Sequence, residues 1–134
     1  MHARCDRTGR PLAFIVTGGE ASDSKQLIPL MEIPLEIPSP KALLADAGYD
    51  SDANREHLLI RAIRPIIKPN PTRKTMPAFD KEAYKARNKI ERMFNKLKQM
   101  RRVATRYDKT RSSFIAFVKL AAIRIWIPTF VHRA

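Results

Sequence analysis

Residues 41–68 read KALLADAGYDSDANREHLLIRAIRPIIK, and the fold turns on how this stretch divides. Lys41 to Ala45 (KALLA) is a short apolar run of strand type that stops at Asp46. The turn AGYD follows. Ser51 or Asp52 can then cap a helix running through about Ala62. Arg64 to Lys68 (RPIIK) is a second strand-like run. Strand, helix and strand at this spacing predict a βαβ unit, with parallel pairing and a right-handed crossover.

Toward the start, His2–Cys5 and Leu12–Val16 flank a Thr-Gly-Arg-Pro turn and predict a β-hairpin. Gly18 and Gly19 end it. Ser22 or Asp23 can cap a short helix to about Met31. The run IPLEIPSP (residues 33–40) holds three prolines and predicts an extended linker. Toward the end, PNPTRKTMPA (69–78) is a loop. The pattern from Phe79 to about Val103 predicts one long helix. Ser112 to Ile127 predicts another, mostly apolar and ended by Pro128. No internal repeat is visible. The expected class is α/β, or α+β, with one mixed sheet and flanking helices.

Composition narrows the function. The 134 residues carry 26 Lys plus Arg against 13 Asp plus Glu, a formal charge of +13, with pI near 10.5. The length fits one domain with a real core. A hydrophobic share of 44% excludes a disordered basic tail. The single Cys5 excludes an internal disulfide, and no Cys/His cluster has zinc-ligand spacing. The segment MHARCDRTGR lacks the apolar core of a signal peptide. The greasiest stretch, Phe114 to Ile127, contains Lys119 and Arg124 and is shorter than the roughly 20 residues a membrane span needs. A reducing cytoplasm and no membrane partner are expected. The charge points to a polyanion, nucleic acid before anionic membrane. It is also concentrated: residues 81–111 hold 12 basic and 3 acidic side chains, whereas residues 1–80 hold 11 and 10. A solvated helix face is the plain explanation for such a run.

Asp46 stands where α/β sheets gather ligand groups, at the carboxyl end of a strand. It could equally cap its own turn or the next helix. Asp50 and Asp52 look better placed for capping, which leaves Asp46 without an evident local role. In the long helix, YKARNKIERMFNKLK places Tyr84, Arg87, Glu91 and Lys98 at about 0°, 300°, 340° and 320° around the axis. Beside this face runs an apolar stripe of Ala83, Ala86, Ile90, Met93, Phe94 and Leu97, expected to pack on the sheet. Lys85, Lys89, Arg92 and Lys96 form a solvated side. An i, i+4 Arg–Glu pair is worth a few tenths of a kcal/mol and explains Arg87 and Glu91, but not the aligned Tyr and Lys. A carboxylate ringed by cations suits a hard divalent ion and phosphate clamps.

Asp46 in LLADAGYDSD, then YKARNKIERMFNKLK and QMRRVATRYDKTRSSFIAFVKLAAIRIWI, closely resemble the DDE transposases of bacterial insertion sequences with the Tyr-x2-Arg-x3-Glu-x6-Lys signature. The hairpin region HARCDRTGRPLAFIVTGGEASD resembles the same group, so the likeness covers essentially the whole chain. It implies an RNase H-like fold with three carboxylates holding two Mg²⁺ ions. Asp46 resembles the second acid and Glu91 the third, as catalytic residues and metal ligands. Tyr84, Arg87 and Lys98 resemble residues that contact transposon-end DNA. The implied chemistry is hydrolytic nicking to free a 3′-OH, followed by attack of that 3′-OH on target DNA. Arg101, Arg102 and Arg106 fit either phosphate contacts or a solvated face.

One departure stands out. The family's first Asp belongs on a strand before the hairpin, and Asp6, in the CDRTG turn, is not assigned that role. The chain is therefore expected to be a partial DDE catalytic domain over residues 1–134, lacking its first strand. A truncated or frameshifted element, a split reading frame and a late start codon would each produce it. Two functions follow: a transposase catalytic-domain fragment, or a catalytically inactive DNA-binding remnant that interferes with full-length enzyme. A basic ribosome-associated protein would explain the charge but not the array. Expected partners are transposon-end and target DNA, full-length transposase or a second copy, in a nucleoid-associated cytoplasmic setting. Trp126 is expected in the core or over the sheet edge, and Cys5 as a small hydrophobe. His2, His57 and His132 show no ligand spacing.

Overall fold

The computed structural model describes residues 1–18, 22–99 and 111–131, with the side chains of the last helix from Phe114 to Pro128. Its strands are β1 (His2–Cys5), β2 (Pro11–Ile15), β3 (Ala42–Ala45) and β4 (Arg64–Ile67). Its α-helices are α1 (Leu27–Glu32), α2 (Asp52–Ile60), α3 (Lys81–Tyr84), α4 (Asn88–Lys98) and α5 (Arg111–Val131), and 3₁₀ turns cover Asp23–Gln26, Ala47–Tyr49 and Lys85–Arg87. The class is α/β, as expected. The single mixed sheet is not seen: among the described residues, β1 pairs only with β2 and β3 only with β4.

The chain forms two compact units. One comprises Met1, Ala3–Val16 and Asn88–Ala134; the other comprises His2 and Thr17–Arg87.

In the first unit the hairpin turn is built by Asp6. Its Oδ1 accepts from the backbone N–H of Thr8 and of Arg10, each at 2.9 Å, while Oδ2 takes Arg10 Nε at 2.8 Å. Burial opposes the charge, but these bonds outweigh it and hold the Asp6 carboxyl below its ordinary range. Gly9 supplies the left-handed backbone, φ +83°, that closes the turn. The core gathers Val16, Met93, Leu97, Phe114, Val118 and Ala121. The α4 stripe therefore packs with α5 and the hairpin, and its expected member Ala86, outside α4, is exposed. Trp126 covers the hairpin edge as expected: its Nε1–H donates to Pro11 O at 2.7 Å, with the Arg10 guanidinium 4.5 Å above the ring. Cys5 is half-buried against this core, and burial, then Asp6, push its thiol up to about 11. Pro128 lies inside α5 rather than ending it. It is exposed and only three residues from the helix end, so water can satisfy the carbonyl that loses its N–H partner. No helix among the described residues is long and apolar enough to cross a membrane.

The second unit is the βαβ segment with what packs on it. β3 and β4 are parallel in the register Ala42↔Arg64 to Ala45↔Ile67. Ser51 caps α2, its Oγ accepting from Asn54 N at 3.1 Å. At the far end, Ala62 takes φ +57°. Ile63 N donates to Leu58 O and Ala62 N to Leu59 O, which is the Schellman pattern with alanine where glycine is usual. Leu58 and Ile63 join Leu27 and Ile67 in the core. Ser22 precedes the first 3₁₀ turn without capping it, because its Oγ instead meets Ser24 Oγ at 3.0 Å.

Candidate functional site

Asp46 follows the last residue of β3 and opens the 3₁₀ turn Ala47–Tyr49. It does have a local role, contrary to expectation: Oδ1 accepts from Gly48 N at 3.0 Å. The residue stays exposed, so its remaining lone pairs face solvent. Gly48 is exposed, but it has no room for a side chain. A Cβ there would sit 2.9 Å from Asp23 Oδ2 and 3.1 Å from Asp46 Oδ1. Two carboxylates from distant parts of the sequence thus converge on this turn. Its last residue, Tyr49, shares a 2.9 Å hydrogen bond with Nδ1 of buried His2, whose Nε2 lies 3.0 Å from Thr17 Oγ1. Burial first, then the charges of Asp23 and Asp46, push the Tyr49 hydroxyl up to about 12, so it stays protonated at neutral pH.

Four residues beyond Asp46, Asp50 has the opposite surroundings. Its side chain is fully buried. Oδ1 accepts from Arg55 Nε at 2.8 Å and Arg73 Nη2 at 3.0 Å; Oδ2 accepts from Arg73 Nε and from Asn70 N, both at 2.7 Å. Arg55 Nη2 also donates to Ile67 O at 2.9 Å, at the end of β4, and Arg73 pairs with Asp52 at 2.8 Å. Burial disfavours the charged form, yet the bonds from Arg73, Asn70 and Arg55 bring the Asp50 carboxyl down to about 2. Asp50 is thus a buried clamp rather than the helix cap the sequence suggested. Asp23 and Arg73 carried no sequence signal for these contacts. Just past the last paired residues, Lys68 N donates to Ala45 O at 3.3 Å, which holds the start of the following loop at the carboxyl end of β3.

The expected long helix is broken. Asp80 caps α3, its Oδ1 accepting from Ala83 N at 3.0 Å, and α3 ends at Tyr84. The 3₁₀ turn Lys85–Arg87 intervenes before α4. Winding changes from about 100° to about 120° per residue there, so the uniform angles assigned to Tyr84, Arg87, Glu91 and Lys98 do not apply. The Arg87 guanidinium lies 5.4 Å over the Tyr84 ring, which itself meets Phe79 edge-on at 5.0 Å. Glu91 and Lys98, seven residues apart on α4, are both exposed and lie within about 20° of each other around its axis. Tyr84 and Arg87 belong to the second unit, Glu91 and Lys98 to the first. Arg101, Arg102, Arg106 and His132 lie outside the described residues. Among the described residues, no group of three or more His, Cys, Asp or Glu is arranged to hold a metal ion.

Comparison with known proteins gives a consistent picture. The family model described as "Transposase DDE domain" matches residues 1–126. The "Putative transposase for insertion sequence element IS6501" of Brucella ovis is 39% identical over 129 residues, covering 95% of this chain and 96% of that protein. The "Putative transposase for insertion sequence element IS402" of Burkholderia cepacia is 32% identical over 132 residues, covering 92% of this chain but 60% of that protein. The "Transposase for insertion sequence element IS1106" of Neisseria meningitidis serogroup B is 28% identical, covering 91% of this chain and 41% of that protein. No solved structure gives a significant match.

Proposed function

Since this chain belongs to the transposase DDE domain family, we propose that it acts on DNA in transposition, as part of an RNase H-like domain that cuts transposon ends and joins the freed 3′-OH to target DNA. The observation that carries this reading is Asp46, an exposed carboxylate at the carboxyl end of a parallel strand, on a turn fixed by its own hydrogen bond. It lies inside a family match that spans nearly the whole chain.

The donor chemistry fits the divalent ion the family uses. Asp46 and Glu91 are exposed carboxylates, hard oxygen donors of the kind Mg²⁺ takes one or two at a time while keeping several waters. When bound, such ions activate the attacking oxygen and stabilise the leaving one. Tyr84, Arg87 and Lys98 hold the DNA strand by its phosphates, with Arg101 and Arg102 extending that contact. Asp6 is not the family's first acid: its oxygens are taken by the hairpin turn. In this reading the first strand and first carboxylate lie outside these 134 residues. Two features of the second unit support that. β4 carries Pro65, a residue confined to sheet edges. The other side of the apolar β3, by contrast, has no strand partner among the described residues and is suited to accept one. The protein would work in the bacterial cytoplasm with the nucleoid, beside full-length transposase or a second copy.

The test is cleavage. The purified chain is incubated with Mg²⁺ and a duplex bearing the terminal repeats of its element. Nicking that Glu91→Ala and Asp46→Ala abolish supports the catalytic reading. Salt-sensitive binding without nicking would leave a non-catalytic DNA-binding function. An affinity independent of salt would sink both, because phosphate contacts release counterions.

A further inference from the structure

We propose that the segment Lys68–Lys74 (KPNPTRK) is a second phosphate-holding surface, which lays the DNA backbone alongside Asp46. This rests on the reading of Asp46 given above. Three observations carry it.

The first is register. Ala45 pairs with Ile67, so the next step sets Lys68 beside Asp46 at the carboxyl end of the parallel pair, the end outside which such sheets bind ligands. The backbone bond from Lys68 N to Ala45 O keeps Lys68 against the end of β3, which Asp46 directly follows in the chain.

The second is unmatched charge. Lys68 and Lys74 are exposed, and neither has an ion-pair or hydrogen-bond partner for its ammonium among the described residues. Asp46 does not neutralise Lys68, since its Oδ1 is engaged by Gly48 N and the two side chains form no ion pair. Arg73, between the two lysines, is different: Asp50 and Asp52 absorb its charge.

The third is preorganisation. A loop with two prolines is already restricted in φ. Here the Asp50 carboxylate also receives Asn70 N and Arg73 Nε, both at 2.7 Å. Asn70 Oδ1 in turn accepts from Thr72 N at 3.0 Å and Thr72 Oγ1 at 2.8 Å, and Arg73 N donates to Asn70 O. The backbone that carries both lysines is therefore ordered before any partner arrives, which lowers the entropic cost of binding. A spaced pair of unpaired ammonium groups on a rigid loop suits the regular phosphates of a nucleic-acid backbone, a contact that positions the strand without reading its sequence.

The salt dependence of binding tests this, because a purely structural lysine would not move it. Anisotropy of a labelled 30-base-pair duplex is measured from 50 to 200 mM NaCl with the full chain, and log K is plotted against log[salt]. Each lost phosphate contact should flatten the slope by about 0.9, so Lys68→Gln flattens it by about 0.9 and the Lys68→Gln/Lys74→Gln pair by about 1.8. Lys68→Arg should restore the parent slope. Lys41→Gln is the control. Lys41 is also exposed but precedes β3, at the opposite end of the pair, and its loss should leave the slope unchanged. Parent-like slopes for Lys68→Gln and the double variant would overturn the proposal. So would an equal flattening by Lys41→Gln, which would reveal a general charge effect. A parent chain with no salt-dependent binding would remove the DNA reading itself, and this surface with it.

Discussion

Asp50→Asn should expose how the site is held. In the folded chain the Asp50 carboxyl lies at about 2 against its ordinary 3.8, because Arg73, Arg55 and the Asn70 N–H outweigh its burial. That depression corresponds to about 2 kcal/mol of folding stability. The sign is that of a carboxylate with a lowered pKa. The contribution is complete above about pH 4, is near half at about pH 3, and fades as pH falls through about 2. Asparagine keeps the shape, cannot ionise, and leaves the Arg55 and Arg73 guanidiniums facing a neutral amide. The variant should therefore be less stable by at least about 2 kcal/mol at pH 7, and by more where the orphaned guanidiniums add their own penalty. The gap to the parent should narrow steadily between pH 4 and pH 2. Urea titrations followed by far-ultraviolet circular dichroism at half-unit pH steps measure it, and carbonyl NMR locates the Asp50 titration directly. A gap that does not change with pH, or an Asp50 carboxyl titrating near 4, would refute the buried clamp.

Two further substitutions separate holding from function. Ala62→Gly relieves an L-residue held at φ +57° in the α2 C-terminal motif and should stabilise the chain by about 1 kcal/mol, seen as a rise of a few degrees in Tm; an unchanged or lower Tm would contradict the motif. Gly48→Ala puts a methyl within about 3 Å of Asp23 and Asp46 carboxylate oxygens. Both acids are exposed and can swing away, so the loss of stability should stay near the roughly 1 kcal/mol of one hydrogen bond, whereas nicking should fall at least tenfold, since a 1 Å misplacement can cost about 10²-fold. Equal, measurable nicking by the two chains would show that Asp46 is not where cleavage is set.

The hairpin and the βαβ unit were legible because their signals are local. An Asp-x-Thr-Gly-Arg turn between apolar runs, and Ser51 three residues before Asn54, need no distant partner to specify them. The helix break was not legible. Tyr84-Lys85-Ala86-Arg87-Asn88 contains no proline or glycine, so the apolar period runs through it without interruption. The 3₁₀ turn coincides instead with tertiary contacts, with Lys85–Arg87 beside β3 and Phe79 and Arg87 against the Tyr84 ring. The apolar stripe likewise told which face of α4 is buried but not against what. Its partners Phe114 and Val118 lie more than 15 residues further along the chain, beyond the reach of a periodicity argument.

The two aspartates of DAGYD carry the clearest lesson about the site. Spacing alone cannot rank them, since both flank the same three-residue turn. What separates them is Arg73, 23 residues beyond Asp50, together with Arg55 from the next helix. These guanidiniums saturate Asp50, withdraw it from solvent and spend its charge on anchoring the turn to α2, to the end of β4 and to the 69–73 loop. Asp46 accepts one hydrogen bond, from the Gly48 N–H, and remains exposed. Asp50 carries most of the structural bonds in this segment, so Asp46 gives only one acceptor position to its own turn and keeps the rest of its carboxylate open to solvent. The same buried clamp orders the backbone under Lys68 and Lys74, so carboxylate and cations at this end of the sheet hold their positions through one set of contacts.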